Sequence, residues 1–81
     1  MRINNENVNA WLYNGENHED IKKFIGNYFL GTTELNYISM KTPIGDMFCF
    51  PGEYVIKMQN GFVYPCHPDT FIKKYILKEV D

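Results

Sequence analysis

The stretch Tyr54-Val55-Ile56-Lys57-Met58-Gln59-Asn60-Gly61-Phe62-Val63-Tyr64-Pro65-Cys66 decides the fold. Two largely apolar runs flank Asn60-Gly61, and a two-residue Asn-Gly loop favours a type I′ turn, in which both central residues have a positive φ. The loop length sets the register, so that Lys57 is expected to pair with Tyr64. The sequence therefore predicts an antiparallel hairpin with strands over 54–59 and 62–66.

This register divides the hairpin into two faces. The first face carries Val55, Lys57, Gln59, Phe62, Tyr64 and Cys66, and the second carries Tyr54, Ile56, Met58, Val63 and Pro65. Because the second set is more apolar, we expect it to face the core, which leaves Lys57 and Tyr64 side by side towards solvent. Pro65 has no N–H to donate to a neighbouring strand, so its own strand is expected at an edge of the sheet.

The clearest helical pattern lies upstream of the hairpin, over 18–26. Asn17 is a favourable N-cap, and acidic residues follow it in the first turn, where the helix dipole favours anions. An apolar stripe with the spacing i, i+3, i+4, i+7 consists of Ile21, Phe24, Ile25 and Tyr28. Gly26 is placed to end this helix in a left-handed cap.

Short strands separated by turns account for most of the remaining chain. We predict them at 8–13, 28–30, 37–41 and 47–50. Ile38 and Met40 share one side of the third. A short helix is expected after Pro68, and the alternation over 76–80 predicts a closing strand. The sum is a single α+β domain over residues 1–81: a small, mostly antiparallel sheet with one clear α-helix, about 18–26, and the short helix after Pro68.

Composition excludes several functional classes. The 81 residues are 44% hydrophobic and 16% aromatic, which is enough for a compact core. With 8 Lys+Arg and 10 Asp+Glu, the net charge of -2 supplies neither the basic surface of a non-specific nucleic-acid binder nor the acidity of a DNA mimic. No apolar run is long enough for a membrane span or a signal peptide, so we expect a cytoplasmic protein. Because so short a domain is marginally stable, we also expect a homo-oligomer.

No catalytic signature is visible, and we predict a non-enzyme without catalytic residues, metal or cofactor. P-loop, GxSxG, HExxH and GxGxxG patterns do not occur. Cys66, His67 and Asp69 are close in sequence, but no CxxC pair accompanies them and the other histidine, His18, is distant. We interpret Cys66 as a structural cysteine, kept reduced like Cys49.

One constellation is a candidate binding site: Lys57 with Tyr64, flanked by Gln59, Phe62 and His67, with Lys73 and Lys74 nearby to add charge. A cation beside aromatic faces can hold a phosphate and stack a base. The alternative interpretation is a solvated strand face with an ordinary cross-strand Lys–Tyr pair. Trp11 and Tyr13 are open to two interpretations as well, as the lining of a pocket or interface or as core residues.

A family resemblance covers roughly 8–80. Its main block is Pro51-Gly52-Glu53-Tyr54-Val55-Ile56-Lys57, followed by Gly61, Tyr64-Pro65-Cys66, Pro68-Asp69, Phe71 and Tyr75. This resembles a family of small phage and prophage proteins with the pattern Pro-Gly-Asp, an aromatic, two aliphatics and Lys, then a glycine turn and Phe-Tyr-Pro-Cys-Lys-Pro-Asp. The chain departs from that pattern at Glu53, Met58, Phe62 and His67, where the family has Asp, Gly, an acidic residue and Lys. The resemblance implies a phage accessory protein in the cytoplasm of a host bacterium.

Three functions follow as expectations. The first is an anti-defence binding protein that sequesters a nucleotide-type immune signal of the host. The second is a protein–protein inhibitor of a host defence enzyme, similar to an anti-CRISPR, and the third is a virion or morphogenesis component. The expected partner is a nucleotide-like small molecule or a host defence protein, and neither a nucleic acid nor a membrane.

Overall fold

Antiparallel strands and short helices build the fold in a computed structural model that describes residues 2–4 and 8–76, with side chains over 8–74. The strands are β1 (Arg2–Asn4), β2 (Val8–Leu12), β3 (Phe29–Thr32), β4 (Ile38–Thr42), β5 (Gly45–Cys49), β6 (Tyr54–Met58) and β7 (Val63–Cys66). The helices are α1 (His18–Ile25) and α2 (Pro68–Phe71), followed by a 3-10 turn (Gly26–Tyr28) and a π-helical turn (Ile72–Ile76), respectively. The predicted α+β class is confirmed.

The strands form two sheets. One has the order β1-β2-β6-β7 and the other has the order β3-β4-β5, and every pairing is antiparallel. Among the described strands, β7 is outermost on its side of the four-stranded sheet, as the proline at position 65 predicts. No helix in the described part of the chain has the length and apolar character needed to span a bilayer.

Two clusters of buried side chains cover opposite faces of the four-stranded sheet. The first joins that sheet to α1 and the three-stranded sheet, and contains Tyr13, Ile21, Ile25, Ile38, Met40, Cys49, Val55 and Val63. The second lies under α2 and contains Val8, Ala10, Tyr54, Ile56 and Phe71. Strand β6 is therefore buried on both faces over Tyr54, Val55 and Ile56.

The predicted register of the hairpin is wrong by one residue. Lys57 pairs with Val63, and Tyr64 pairs with Ile56. Since neighbouring positions on a strand point to opposite sides of the sheet, Lys57 and Tyr64 lie on opposite faces. The predicted division into an outward Lys57/Tyr64 face and an inward apolar face is therefore wrong as well.

The loop of the hairpin explains the shift. The N–H of Gly61 donates to the carbonyl of Met58 at 2.9 Å, and the N–H of Met58 donates to the carbonyl of Phe62 at 2.8 Å. These bonds close a loop over 59–61, within which only Gly61 has a positive φ, 92°. The arrangement is a turn followed by a glycine bulge, the three-residue alternative to the expected two-residue loop.

Helix α1 is confirmed, with bounds within one residue of the prediction, but the predicted caps do not form at either end. Asn17 precedes the helix, yet its side chain does not cap it: the Oδ1 accepts from the Asn14 N–H at 2.9 Å, and the Nδ2 donates to the Leu12 carbonyl at 2.9 Å. Gly26 has φ 58° and ψ −123°, which is outside the left-handed helical region, so the chain turns directly into the 3-10 segment.

Strands β2, β3, β4 and β5 begin and end within two residues of the predicted bounds, whereas β1 has no counterpart among the predictions. Ile38 and Met40 are fully buried on one side of β4, and α2 begins at Pro68. The predicted closing strand does not begin at Ile76, which belongs to the π-helical turn after α2. Positions 77–80 of that predicted strand lie outside the described residues.

Candidate ligand-binding cleft

A cleft of about 540 Å³ lies between α1 and the strands β2 and β6. Its lining consists of Asn9, Trp11, Asp20, Lys23, Phe24, Lys57, Met58, Gln59 and Gly61. Small-molecule sites in proteins typically occupy about 300–1,000 Å³. The cleft is therefore large enough for a small ligand, and it combines aromatic, cationic and amide side chains.

Strand pairing brings one wall of the cleft together. In the β2–β6 register, Asn9 lies opposite Lys57 and Trp11 lies opposite Val55. Asn9 and Trp11 are two positions apart on β2, so they share the sheet face on which α1 packs. Helix α1 supplies the opposite wall with Asp20, Lys23 and Phe24.

Two aromatic rings and a lysine amine lie close together in the lining of this cleft. The ring centroids of Trp11 and Phe24 are 6.2 Å apart, with an interplanar angle of 48°. The Nζ of Lys57 is 5.6 Å from the Phe24 ring centroid and donates a hydrogen bond of 3.2 Å to the Phe24 carbonyl. That carbonyl belongs to the last turn of α1, where backbone acceptors lack a partner within the helix and the dipole favours a cation.

Asn9 contributes an acceptor that the described residues leave unsatisfied. Its Oδ1 atom is buried and has no hydrogen-bond partner within the described part of the chain. Leaving such a group unpaired costs about 1–3 kcal/mol. In the lining of the cleft, the amines of Lys23 and Lys57 outnumber the carboxylate of Asp20.

The structure does not bring together the constellation that the sequence predicts. Lys57 and Gln59 line the cleft, whereas Tyr64 and Lys74 line a second cavity of about 370 Å³ beside α2 on the opposite face of the sheet. The shifted register accounts for this separation.

The other predicted site residues, Phe62, His67 and Lys73, do not line the cleft. Phe62 is exposed next to the hairpin loop, and Lys73 is exposed in the turn after α2. His67 precedes α2 and caps it, since its Nδ1 accepts from the Asp69 N–H at 3.3 Å. A histidine held in this way stabilises the first turn of α2, so we assign it no contact with the cleft.

The thiols are poorly suited to nucleophilic chemistry. Burial, together with the nearby Glu53 carboxylate and Cys66, raises the pKa of the Cys49 thiol to about 12. Burial also raises the pKa of the Cys66 thiol, although Lys74 acts in the opposite direction. Both are free cysteines, and a raised pKa leaves them as protonated thiols near neutral pH. In the part of the chain that the structure describes, no three His, Cys, Asp or Glu residues are grouped to hold a metal ion.

The sequence pattern indicates Trp11 as a candidate pocket residue but does not single out Asn9, Lys23 or Phe24, which also line the cleft. A signal for Asn9 does exist: it is a polar residue between Val8 and Ala10, which are both buried, and alternation places it with Trp11. The pairing of β2 with β6 places Lys57 beside Asn9 and Trp11, and no local sequence pattern predicts that pairing.

Comparison with known proteins adds no relatives: the sequence matches no protein-family model, and neither curated proteins nor solved structures give a significant match. The resemblance to small phage proteins accordingly stays a prediction. The geometry of the cleft is the basis for a functional interpretation.

Proposed function

We propose that the protein is a binding module that captures a nucleotide-like small molecule in the cleft between α1, β2 and β6. The observation that carries this proposal is that the Trp11 and Phe24 rings are in contact in the cleft and that the Nζ of Lys57 lies 5.6 Å from the Phe24 ring centroid. Aromatic rings stack nucleobases without strong sequence preference, and lysine amines bind phosphate. A nucleotide combines a base that can stack with a phosphate that can pair with an amine, so it matches both features.

The contacts divide the ligand into two parts. The base is assigned to the Trp11 side of the cleft, where it can stack on an aromatic ring. The phosphate is assigned to Lys23 and Lys57. An ammonium group has three protons, and Lys57 donates one to the Phe24 carbonyl, so it keeps donors for a phosphate oxygen.

We propose capture rather than turnover. The pKa values of both free thiols are raised, which is opposite to the shift that activates a cysteine nucleophile. In the setting that the phage resemblance implies, the captured molecule is a nucleotide-type immune signal, and binding in the host cytoplasm lowers its free concentration. The two alternatives, an inhibitor of a host defence enzyme and a virion component, would instead require a protein partner.

The test uses the intrinsic fluorescence of Trp11, because it is the only tryptophan of the chain and lies in the cleft. AMP, ADP-ribose and cyclic dinucleotides are titrated into the wild-type protein, and thermal stability is measured in parallel. At least one of them is expected to change the emission and to raise the Tm in a saturable way. Lys57→Met should weaken that binding at least tenfold.

Lys74→Met is the matched control, since Lys74 lies on the opposite face of the same sheet. It should bind the nucleotide as the wild-type protein does. The proposal fails if no member of the set changes either signal, or if Lys74→Met weakens binding as much as Lys57→Met does.

A further inference from the structure

The solvent side of the three-stranded sheet carries exposed apolar side chains, independently of the cleft. Ile38, Met40 and Cys49 point inward and are fully buried. The alternate positions of β4 and β5 therefore point outward, and cross-strand pairing aligns Phe48 with Ser39 and then with Gly31 on β3. Both aligned neighbours are small, and half of the Phe48 side chain stays exposed.

Four residues form what we call the outer face: Leu35, Tyr37, Phe48 and Phe50. Leu35 is 69% exposed, Phe48 is 50% exposed and Phe50 is 46% exposed. The Tyr37 and Phe50 rings are in contact, with centroids 4.3 Å apart. Together with Thr33 and Glu34, these side chains line a shallow depression of about 460 Å³. None of the residues that line the cleft belongs to this face.

We infer that the outer face is a homodimer interface, and that its occupant is the same face of a second copy of this chain. A half-exposed phenylalanine leaves about 100 Å² uncovered, so the outer face offers on the order of 300–400 Å² of apolar surface. Two copies face to face would remove twice that area from water. The surrounding rim, which includes Lys41 two positions from Ser39 on β4, would extend the total towards the roughly 1,200 Å² of a stable interface.

The charges around the outer face suit a two-fold arrangement. Glu34 lies beside the aromatic cluster, and Lys41 lies further along β4, opposite Asp46 of β5. When two copies of β4 cross in antiparallel directions, the Lys41 of each copy approaches the Glu34 of the other. The outer face itself is apolar or aromatic, and the charges named around it are two carboxylates, Glu34 and Asp46, and one amine, Lys41. Apolar contact with an identical face is therefore a better match than a strongly charged partner.

Sedimentation equilibrium and native mass spectrometry of the full chain test this inference. The wild-type protein should be a dimer of 9.6 kDa chains that dissociates on dilution, and its Tm should rise with protein concentration. Phe48→Lys should weaken dimerisation about thirty-fold or more, because it places a charge in the centre of the contact. Circular dichroism checks that each variant is folded.

Phe62→Lys is the matched control, because Phe62 is exposed to a similar extent, 39%, but lies at the hairpin of the other sheet. It should dimerise as the wild-type protein does. A wild-type monomer with a concentration-independent Tm overturns the inference, as does equal dimerisation of Phe48→Lys. If the monomer instead forms a stoichiometric complex with a host protein through Phe48, the inhibitor alternative replaces the homodimer. Lys57→Met should dimerise normally, so failure of the nucleotide proposal is distinguishable from failure of this one.

Discussion

The Nζ of Lys57 donates a hydrogen bond of 3.2 Å to the backbone carbonyl of Phe24, and this bond ties β6 to the last turn of α1. Replacing Lys57 with methionine keeps an unbranched apolar stem but removes the donor. The Phe24 carbonyl then depends on water, and we expect a loss of about 1 kcal/mol in the free energy of unfolding. Urea denaturation followed by circular dichroism measures this difference.

Lys73→Met is the control for that measurement, because Lys73 is exposed in the turn after α2. Its free energy of unfolding should stay within about 0.5 kcal/mol of wild type. Equal stabilities of the two variants would show that the Lys57–Phe24 bond does not contribute to the fold.

The hairpin loop gives a second prediction, which concerns backbone strain alone. Gly61 has φ 92°, and a Cβ added there would meet no atom within 4 Å. Gly61→Ala should therefore destabilise the protein by about 1–2 kcal/mol through the positive φ and not through a clash. Gly61→Asn should cost less, since asparagine tolerates positive φ better than alanine. The order Gly > Asn > Ala in urea midpoint is expected, and an alanine variant as stable as the wild-type protein would contradict the assigned loop.

Cys49 gives a third prediction, on pH dependence. Burial raises the pKa of its thiol from 9.0 to about 12, so the folded protein holds this proton where the unfolded chain releases it. The contribution of Cys49 to stability is therefore fully present below pH 9 and is lost as the pH rises from about 9 towards 12. A single group changes stability by at most about 1.4 kcal/mol per pH unit.

Comparison with Cys49→Ala isolates this contribution from other groups that titrate in alkali, among them Tyr13, whose pKa is also raised by burial and by Cys49. The alanine variant should be less stable near pH 7 because of the cavity, but its stability should fall less steeply above pH 9. Parallel pH profiles for the two proteins would show that Cys49 is accessible to solvent.

Phe71 gives a fourth prediction, on the attachment of α2. Its ring is fully buried and stacks on Tyr54, with centroids 4.1 Å apart and an interplanar angle of 18°. Phe71→Leu keeps most of the apolar volume but loses the stacking, so we expect a loss of about 1–2 kcal/mol in the free energy of unfolding. Ile72→Ala, at the exposed next position, should cost less than half as much. Urea denaturation of the two variants should rank them in that order.

Local periodicity explains what could be predicted from the sequence. The stripe of Ile21 and Ile25 predicts α1, and the alternation of Ile38 and Met40 predicts the inward side of β4, because each pattern needs only one buried face. The inward side of β6 could not be predicted in the same way. Tyr54, Val55 and Ile56 are all buried, since both faces of β6 are covered, so no alternation marks the register.

The residues that share the cleft with Lys57 could not be predicted from the sequence, because they depend on the hairpin register and on long-range strand pairing. Asn60-Gly61 is compatible with loops of two or three residues, and the choice between them decides whether Lys57 shares a face with Tyr64. Within the cleft, Lys57 lies on the same face as Asn9, its partner in the pairing of the distant strands β2 and β6. Long-range pairing depends on the packing of the whole domain and leaves no trace in either segment alone.

Pro65 restricts how the chain can associate. In an antiparallel ladder, hydrogen-bonded and non-hydrogen-bonded residue pairs alternate. Because the Met58 N–H donates to the Phe62 carbonyl, the Val55–Pro65 pair is a non-hydrogen-bonded one, and its backbone N and C=O groups point away from the partner strand. The proline nitrogen therefore lies on the side of β7 that faces away from β6, where an added strand would need an amide proton that position 65 lacks. Growth into fibrils by strand addition at this rim is disfavoured.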